Sequence, residues 1–149
     1  MAIIDIARTN VVTVAPDRPV ADVVRTMHGE TVSSVVVVED DEPPGLVTDR
    51  DLAMAVLDED FDADRTPVSE FLDDEVVTIE ADAGVYDLVE LLSENSIRRV
   101  PVVQDGELAG IISLSDVVVL LGMELQHVAN AIRSSSPAYE RSGTDYYHR

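Results

Sequence analysis

GLVTDRD, residues 45–51, and GIISLSD, residues 110–116, share one pattern: a glycine, two aliphatic residues, a hydroxyl, and an aspartate three positions further on. The second begins 65 residues after the first, and the two belong to a longer self-similarity. Residues 11–52, VVTVAPDRPVADVVRTMHGETVSSVVVVEDDEPPGLVTDRDL, align without a gap on residues 76–117, VVTIEADAGVYDLVELLSENSIRRVPVVQDGELAGIISLSDV. Fourteen of the 42 positions are identical, among them Thr13/Thr78, Asp17/Asp82, Asp22/Asp87, Gly45/Gly110 and Asp51/Asp116, and seven other pairs exchange one aliphatic residue for another. Self-similarity at a fixed offset marks a duplicated structural unit. The chain is a tandem repeat.

Each unit reads in the same order. A short apolar strand, VVTV or VVTI, runs into a turn rich in Asp, Pro or Gly. A helix follows, with apolar residues at i, i+3, i+4 and i+7: Val20, Val23, Val24 and Met27, or Val85, Leu88, Val89 and Leu92. The aliphatic runs SVVVVE and RVPVVQ predict strands buried on both faces, and the turns DDEPPG and DGELAG predict hairpins to a third strand. A second helix starts at the hydroxyl and aspartate. The expected fold class is α/β, two β-α-β-β-α repeats packed with pseudo-twofold symmetry, since neither half buries its sheet alone. The expected boundaries are repeat 1 at 1–57, a linker at 58–68, repeat 2 with an extended C-terminal helix at 69–133, and a polar tail at 134–149. The last helix, nearly apolar all round over VVVLLGM, predicts burial on more than one side and hence a subunit contact in a homodimer. The tail tyrosines are read either as docking on a neighbour or as part of a frayed terminus.

Thirty Asp and Glu face ten basic residues, every one an arginine, for a net charge of -20. Such a surface excludes unassisted binding to nucleic acid or to an anionic membrane, both of which need a basic footprint. The composition is similar to that of proteins from salt-loving (halophilic) archaea, where dissolved ions screen the self-repulsion. DEDFDAD, residues 58–64, lacks the spacing and turn glycine of a calcium loop. The absence of cysteine excludes disulfides and thiolate metal sites. The start MAIIDIARTN has neither a basic nor an apolar leader region, and no uncharged run approaches the roughly 20 residues of a membrane helix. The expectation is a cytoplasmic protein.

The repeated motif has two physical readings. Thr48 or Ser113 at a helix N-cap, with Asp51 or Asp116 at N3, is close to a capping box. The same geometry offers free amides and partial positive charge to a phosphate. The glycine lets a ligand approach the backbone, the hydroxyl donates to phosphate, and the aspartate accepts from ribose hydroxyls. Together they suit a ribonucleoside phosphate, with the aliphatic strands supplying a slot for the base.

These residues resemble a pair of CBS domains, the regulatory modules named after cystathionine β-synthase. The resemblance covers residues 4–121 and rests on both copies of the glycine-hydroxyl-aspartate signature and on the RVPVV strand. IIDIARTN and VSEFLDDE are similar to the family's lead-in segments, with Ala7 and Leu72 at positions where methionine is common. The resemblance implies two clefts that bind adenosine-type ligands: AMP, ADP, ATP, or S-adenosylmethionine and related compounds. Carried over to this chain, Asp51 and Asp116 hold ribose hydroxyls, and Thr48 and Ser113 contact phosphate or ribose. Val12, Val77, Val32 and Ile97 line the base pockets, and Arg98 and Arg99 contact phosphate. The first repeat has Ser33 and Ser34 in place of those arginines, so two unequal sites are expected. Which aspartate shares a cleft with the arginines is open at this level.

Three functions follow. The first is a ligand-sensing regulatory module that signals to a separate, unidentified protein and requires no cofactor. The second is a ligand-free dimeric scaffold, for which capping alone explains the motif. The third, catalysis, is not expected, because His28, His127 and His148 fall in no nucleophilic or metal-binding pattern.

Overall fold

A computed structural model describes residues 1–40 and 42–135, so the tail tyrosines Tyr139, Tyr146 and Tyr147 lie outside the described residues. The chain divides into two compact units, Met1–Leu114 and Ser115–Arg149.

In the first unit the order is β1 (Thr13–Val14), α1 (Val20–Glu30), β2 (Ser34–Val37), β3 (Gly45–Thr48), α2 (Asp49–Ala55), β4 (Ile79–Glu80), α3 (Val85–Glu94), β5 (Arg99–Gln104) and β6 (Glu107–Ser113). They form two three-stranded sheets, β1-β2-β3 and β4-β5-β6. In each, the first strand runs parallel to the second and the second antiparallel to the third. The hairpin registers repeat at the sequence offset: Ser34 faces Thr48 as Arg99 faces Ser113, and Val37 faces Gly45 as Val102 faces Gly110. The second hairpin turns at Asp105 and Gly106, both with positive φ, as a two-residue type I′ connection requires.

The central strands carry the aliphatic runs because both of their faces are covered. Val35, Val36 and Val37 are buried in β2, as are Val100, Pro101 and Val102 in β5. Pro101 also explains a difference between the repeats. Its counterpart Val36 donates its N–H to Val12 O at 3.0 Å, a bond that proline cannot make. Pairing with β4 accordingly starts at Ile79, one position later than its counterpart in β1.

Helices α1 and α3 bury a narrower stripe than the sequence predicts. Val20, Val23 and Met27 are buried, as are Leu88 and Leu92, but Val24 is 47% exposed and Val89 39%. The i+4 position of each stripe is therefore not part of the core, and Val24 instead lines a cavity beside α1. A residue in the left-handed region follows each helix: Thr31 is the C-cap of α1, and its counterpart Ser96 lies just past Asn95, the C-cap of α3, with φ of 55° and 53°.

The lead-in segments cross over. The segment before the first repeat, a short 3-10 turn at Ile3–Asp5, bonds to the second repeat. Ile3 N–H donates to Ala83 O, and Arg8 and Ile111 exchange both backbone bonds at 2.9 Å. The segment before the second repeat, a 3-10 turn at Val68–Phe71, bonds to the first. Val68 N–H donates to Arg18 O at 2.8 Å and Ser69 N–H to Pro16 O at 3.0 Å. Ile3 and Val68 are both fully buried, and Val68 belongs to the first repeat's core beside Val20, Val35, Val47 and Leu52. Each lead-in segment thus packs on the other repeat.

The second unit is described by α4 (Leu114–Ser135), which opens at the last residue of the first unit. The expectation for this helix is burial at a subunit contact, and in the single chain most of its large apolar residues are exposed. Val118, Val119, Leu121, Met123, Leu125, Val128 and Ile132 are between 50% and 69% exposed.

Candidate functional site

Helix α2 begins where the motif places it. Thr48 is its N-cap, and the capping box is complete. Thr48 N–H donates to Asp51 Oδ2 at 2.9 Å, and Asp51 N–H donates back to Thr48 Oγ1 at 3.3 Å. The Thr48 hydroxyl also donates to Asp51 Oδ2, at 2.9 Å. The next amide is taken as well, since Arg50 N–H donates to Asp49 Oδ1 at 2.8 Å. Asp51 Oδ1 carries no hydrogen bond among the described residues, and the side chain is exposed.

The motif glycines serve packing within the chain, and Gly45 also lines the cleft described below. A Cβ on Gly110 would lie 2.8 Å from Arg8 O and 3.4 Å from Ala7 Cβ. A Cβ on Gly45 would lie 2.5 Å from Leu72 Cδ2. The crossed lead-in segments press on the two glycines, each on the glycine of the other repeat. Ala7 and Leu72, the positions of the sequence-level departure, are the residues that fill this space.

Asp51 and Thr48 face a cleft of about 430 Å³ whose walls come from both repeats. The first repeat supplies Gly45, Thr48, Asp49, Arg50 and Asp51; the second supplies Leu72, Val77, Ser96, Ile97, Arg98 and Arg99. The left-handed turn at Ser96 brings Ile97 and the arginines to the cleft, and Ile97 N–H donates to Leu92 O at 3.1 Å. The question left open by the sequence is answered: the arginines of the second repeat share a cleft with the aspartate of the first. The cleft is close to charge-balanced in a chain at -20, with Arg50, Arg98 and Arg99 set against Asp49, Asp51, Asp73 and Glu75.

The arginines are not equivalent. Arg99 is half-buried, and its Nη1 donates to Ser33 Oγ at 3.0 Å and Ser34 Oγ at 3.2 Å, the serines that occupy the counterpart positions in the first repeat. Arg98 and Arg50 are exposed and have no ion-pair or side-chain hydrogen-bond partner among the described residues. Elsewhere Arg18 and Arg25 pair with Asp22, and Arg65 with Asp62. Arg50 is a cleft residue that the sequence reading missed. Its signal was available: it lies inside the motif, in a chain where positive charge is scarce.

The remaining candidates fall elsewhere. Val12 and Val32 pack against the core of the first repeat. Val32 also lines a separate, apolar cavity of about 830 Å³ between α1 and α2, with Val24, Met27, Leu52 and Phe61. Ser113 closes β6 opposite Arg99, and Asp116 lies in the first turn of α4. Among the described residues, no cluster of three or more His, Asp or Glu is arranged to hold a metal, and no helix is long and apolar enough to cross a membrane.

The profile of the CBS domain matches this chain twice, over residues 3–58 and 68–122. The chain belongs to the CBS-domain family. A CBS domain-containing protein of Bacillus subtilis is 33% identical over 77% of this chain and 81% of its own length. A protein of Methanopyrus kandleri is 34% identical over 76% of this chain, which spans 59% of that longer relative. The crystal structure of a CBS-domain containing protein from Agrobacterium tumefaciens superposes with a TM-score of 0.69, at 33% identity, over 80% of this chain and 98% of that one. Pairs of CBS domains commonly act as regulatory, ligand-binding modules.

Proposed function

We propose that this CBS-domain protein is a ligand-sensing regulatory module that binds an adenosine-type ligand in the cleft between Asp51 and Arg98. The ligand class is AMP, ADP, ATP or S-adenosylmethionine. The response is carried in a homodimer and passed to a separate protein. One observation supports the reading: Arg98 and Arg50, two exposed arginines with no ion-pair or side-chain hydrogen-bond partner among the described residues, line the same cavity of about 430 Å³ as Asp51. That volume falls in the range of about 300–1,000 Å³ typical of small-molecule sites. Asp51 Oδ1 accepts from a ribose hydroxyl, Arg98 and Arg50 take phosphate oxygens, and Val77 and Ile97 pack on the base. The phosphate role falls to the arginines because the capping box already occupies the Thr48 proton and the Asp51 amide. A ligand held by both repeats shifts any equilibrium in their packing by its differential affinity for the two arrangements.

The capping box also favours a second reading, a ligand-free dimeric scaffold, since it explains Thr48 and Asp51 with no ligand. Calorimetric titration in molar KCl with adenosine, AMP, ATP and S-adenosylmethionine separates the two. Arg98→Ala is expected to weaken AMP by about tenfold or more while leaving adenosine unchanged, the loss of one charge-assisted hydrogen bond. No heat from any adenosine compound would overturn the sensing reading in favour of the scaffold.

A further inference from the structure

Arg99 is half-buried in the wall of the cleft and is held there by hydroxyls alone. The chain has thirty Asp and Glu against ten arginines, yet Arg99 pairs with no carboxylate among the described residues. Its Nη1 donates to Ser33 and Ser34 across the boundary between the repeats, while Nη2 and Nε carry no hydrogen bond among the described residues. A carboxylate anchor would fix the side chain and cancel its charge. Neutral hydroxyls fix it and leave the charge intact. Neither serine lines the cleft, so the anchor does not take up the space a ligand would fill.

The serines are fixed in turn to the helix that carries the rest of the site. Asp49, the first residue of α2, donates its N–H to Ser33 O at 2.8 Å. Ser34 faces Thr48, the cap of α2, in the register of β2 and β3. Arg99 of the second repeat and Asp51 of the first are thereby tied to one framework.

We infer that Ser33 and Ser34 are positioning residues of the cleft: they hold the Arg99 guanidinium, its charge uncancelled, in place for an anionic group of the ligand. The inference rests on the ligand site proposed above and adds to it two residues that touch no ligand. An arginine free to rotate gives up rotamer freedom when it takes a phosphate oxygen, whereas an anchored one has given it up on folding. An arginine at 34, the residue its counterpart 99 carries, would replace this anchor with like charge.

Calorimetric titration of the full chain in molar KCl with AMP and with adenosine tests it. Ser33→Ala with Ser34→Ala is expected to weaken AMP by about two- to tenfold, the cost of immobilising one long side chain, and to leave adenosine unchanged. Ser33→Thr with Ser34→Thr keeps both hydroxyls and is expected to bind AMP as the wild type does. Arg99→Met is expected to weaken AMP by about tenfold or more. Adding the two alanines to Arg99→Met should cost nothing further, because the serines act only through that arginine. An alanine pair that binds AMP as tightly as wild type, or that loses AMP and adenosine alike, overturns the positioning role and leaves the ligand site standing. So does a further loss on the Arg99→Met background. A wild-type chain that takes up neither compound overturns the inference, and the ligand site falls with it only if ATP and S-adenosylmethionine also give no heat.

Discussion

An alanine at position 110 places its methyl carbon 2.8 Å from Arg8 O, a contact with backbone that cannot rotate aside. Either β6 or the lead-in segment must move by several tenths of an ångström. The movement strains the reciprocal pair of 2.9 Å bonds between Arg8 and Ile111, each contributing about 1 kcal/mol. Overpacking of this kind costs about 1–3 kcal/mol. The loss of glycine's freedom in the unfolded chain returns about 0.4–1 kcal/mol, because no positive φ is needed at this position. The net expectation for Gly110→Ala is a destabilisation of about 1–2 kcal/mol. Gly45→Ala is the internal comparison. There the clash, at 2.5 Å, is nominally worse, but it is with the tip of the Leu72 side chain, which can change rotamer. The net cost expected for Gly45→Ala is about 0–1 kcal/mol, and Leu72→Ala in the same chain should remove it. Urea unfolding in molar KCl, followed by far-ultraviolet circular dichroism, measures all three. A Gly110→Ala protein as stable as wild type, or a Gly45→Ala protein that loses more than Gly110→Ala, would refute the claim that the crossed lead-in segments are what the motif glycines accommodate.

The crossing itself predicts that Ile3→Ala, at the far N-terminus, destabilises the protein by about 2–4 kcal/mol, as truncation of a buried core residue does; a loss below about 0.5 kcal/mol, the level of ordinary surface substitutions, would contradict the packing described. Thermal unfolding should shift upward as KCl rises from low to molar concentration, since screening relieves the self-repulsion of a chain at -20; a midpoint that falls with salt would contradict this.

Much of the fold was legible because its signals are local. The offset of 65 paired every element of one repeat with its counterpart, and the hairpin registers keep that offset. The aliphatic runs named the buried central strands, and Thr48 with Asp51 named a helix start that the capping box confirms. The misread positions are those where a third element decides the outcome. Val24 and Val89 have the right period, but periodicity cannot tell how wide a stripe the facing sheet covers. The glycines were known to need room, yet the occupant of that room is a segment more than 20 residues away in one case and about 100 in the other.

By itself the sequence determined the duplicated architecture, the cap at Thr48 and Asp51, and the scarcity of positive charge that makes any arginine near the motif informative. Tertiary structure alone decided that Arg98 and Arg99 line one cleft with Asp51, that Arg50 joins them, and that each lead-in packs on the other repeat. The reason is physical. Period and capping act over a few residues of one element, whereas the partner across a cleft depends on how two sheets built from similar sequences pack.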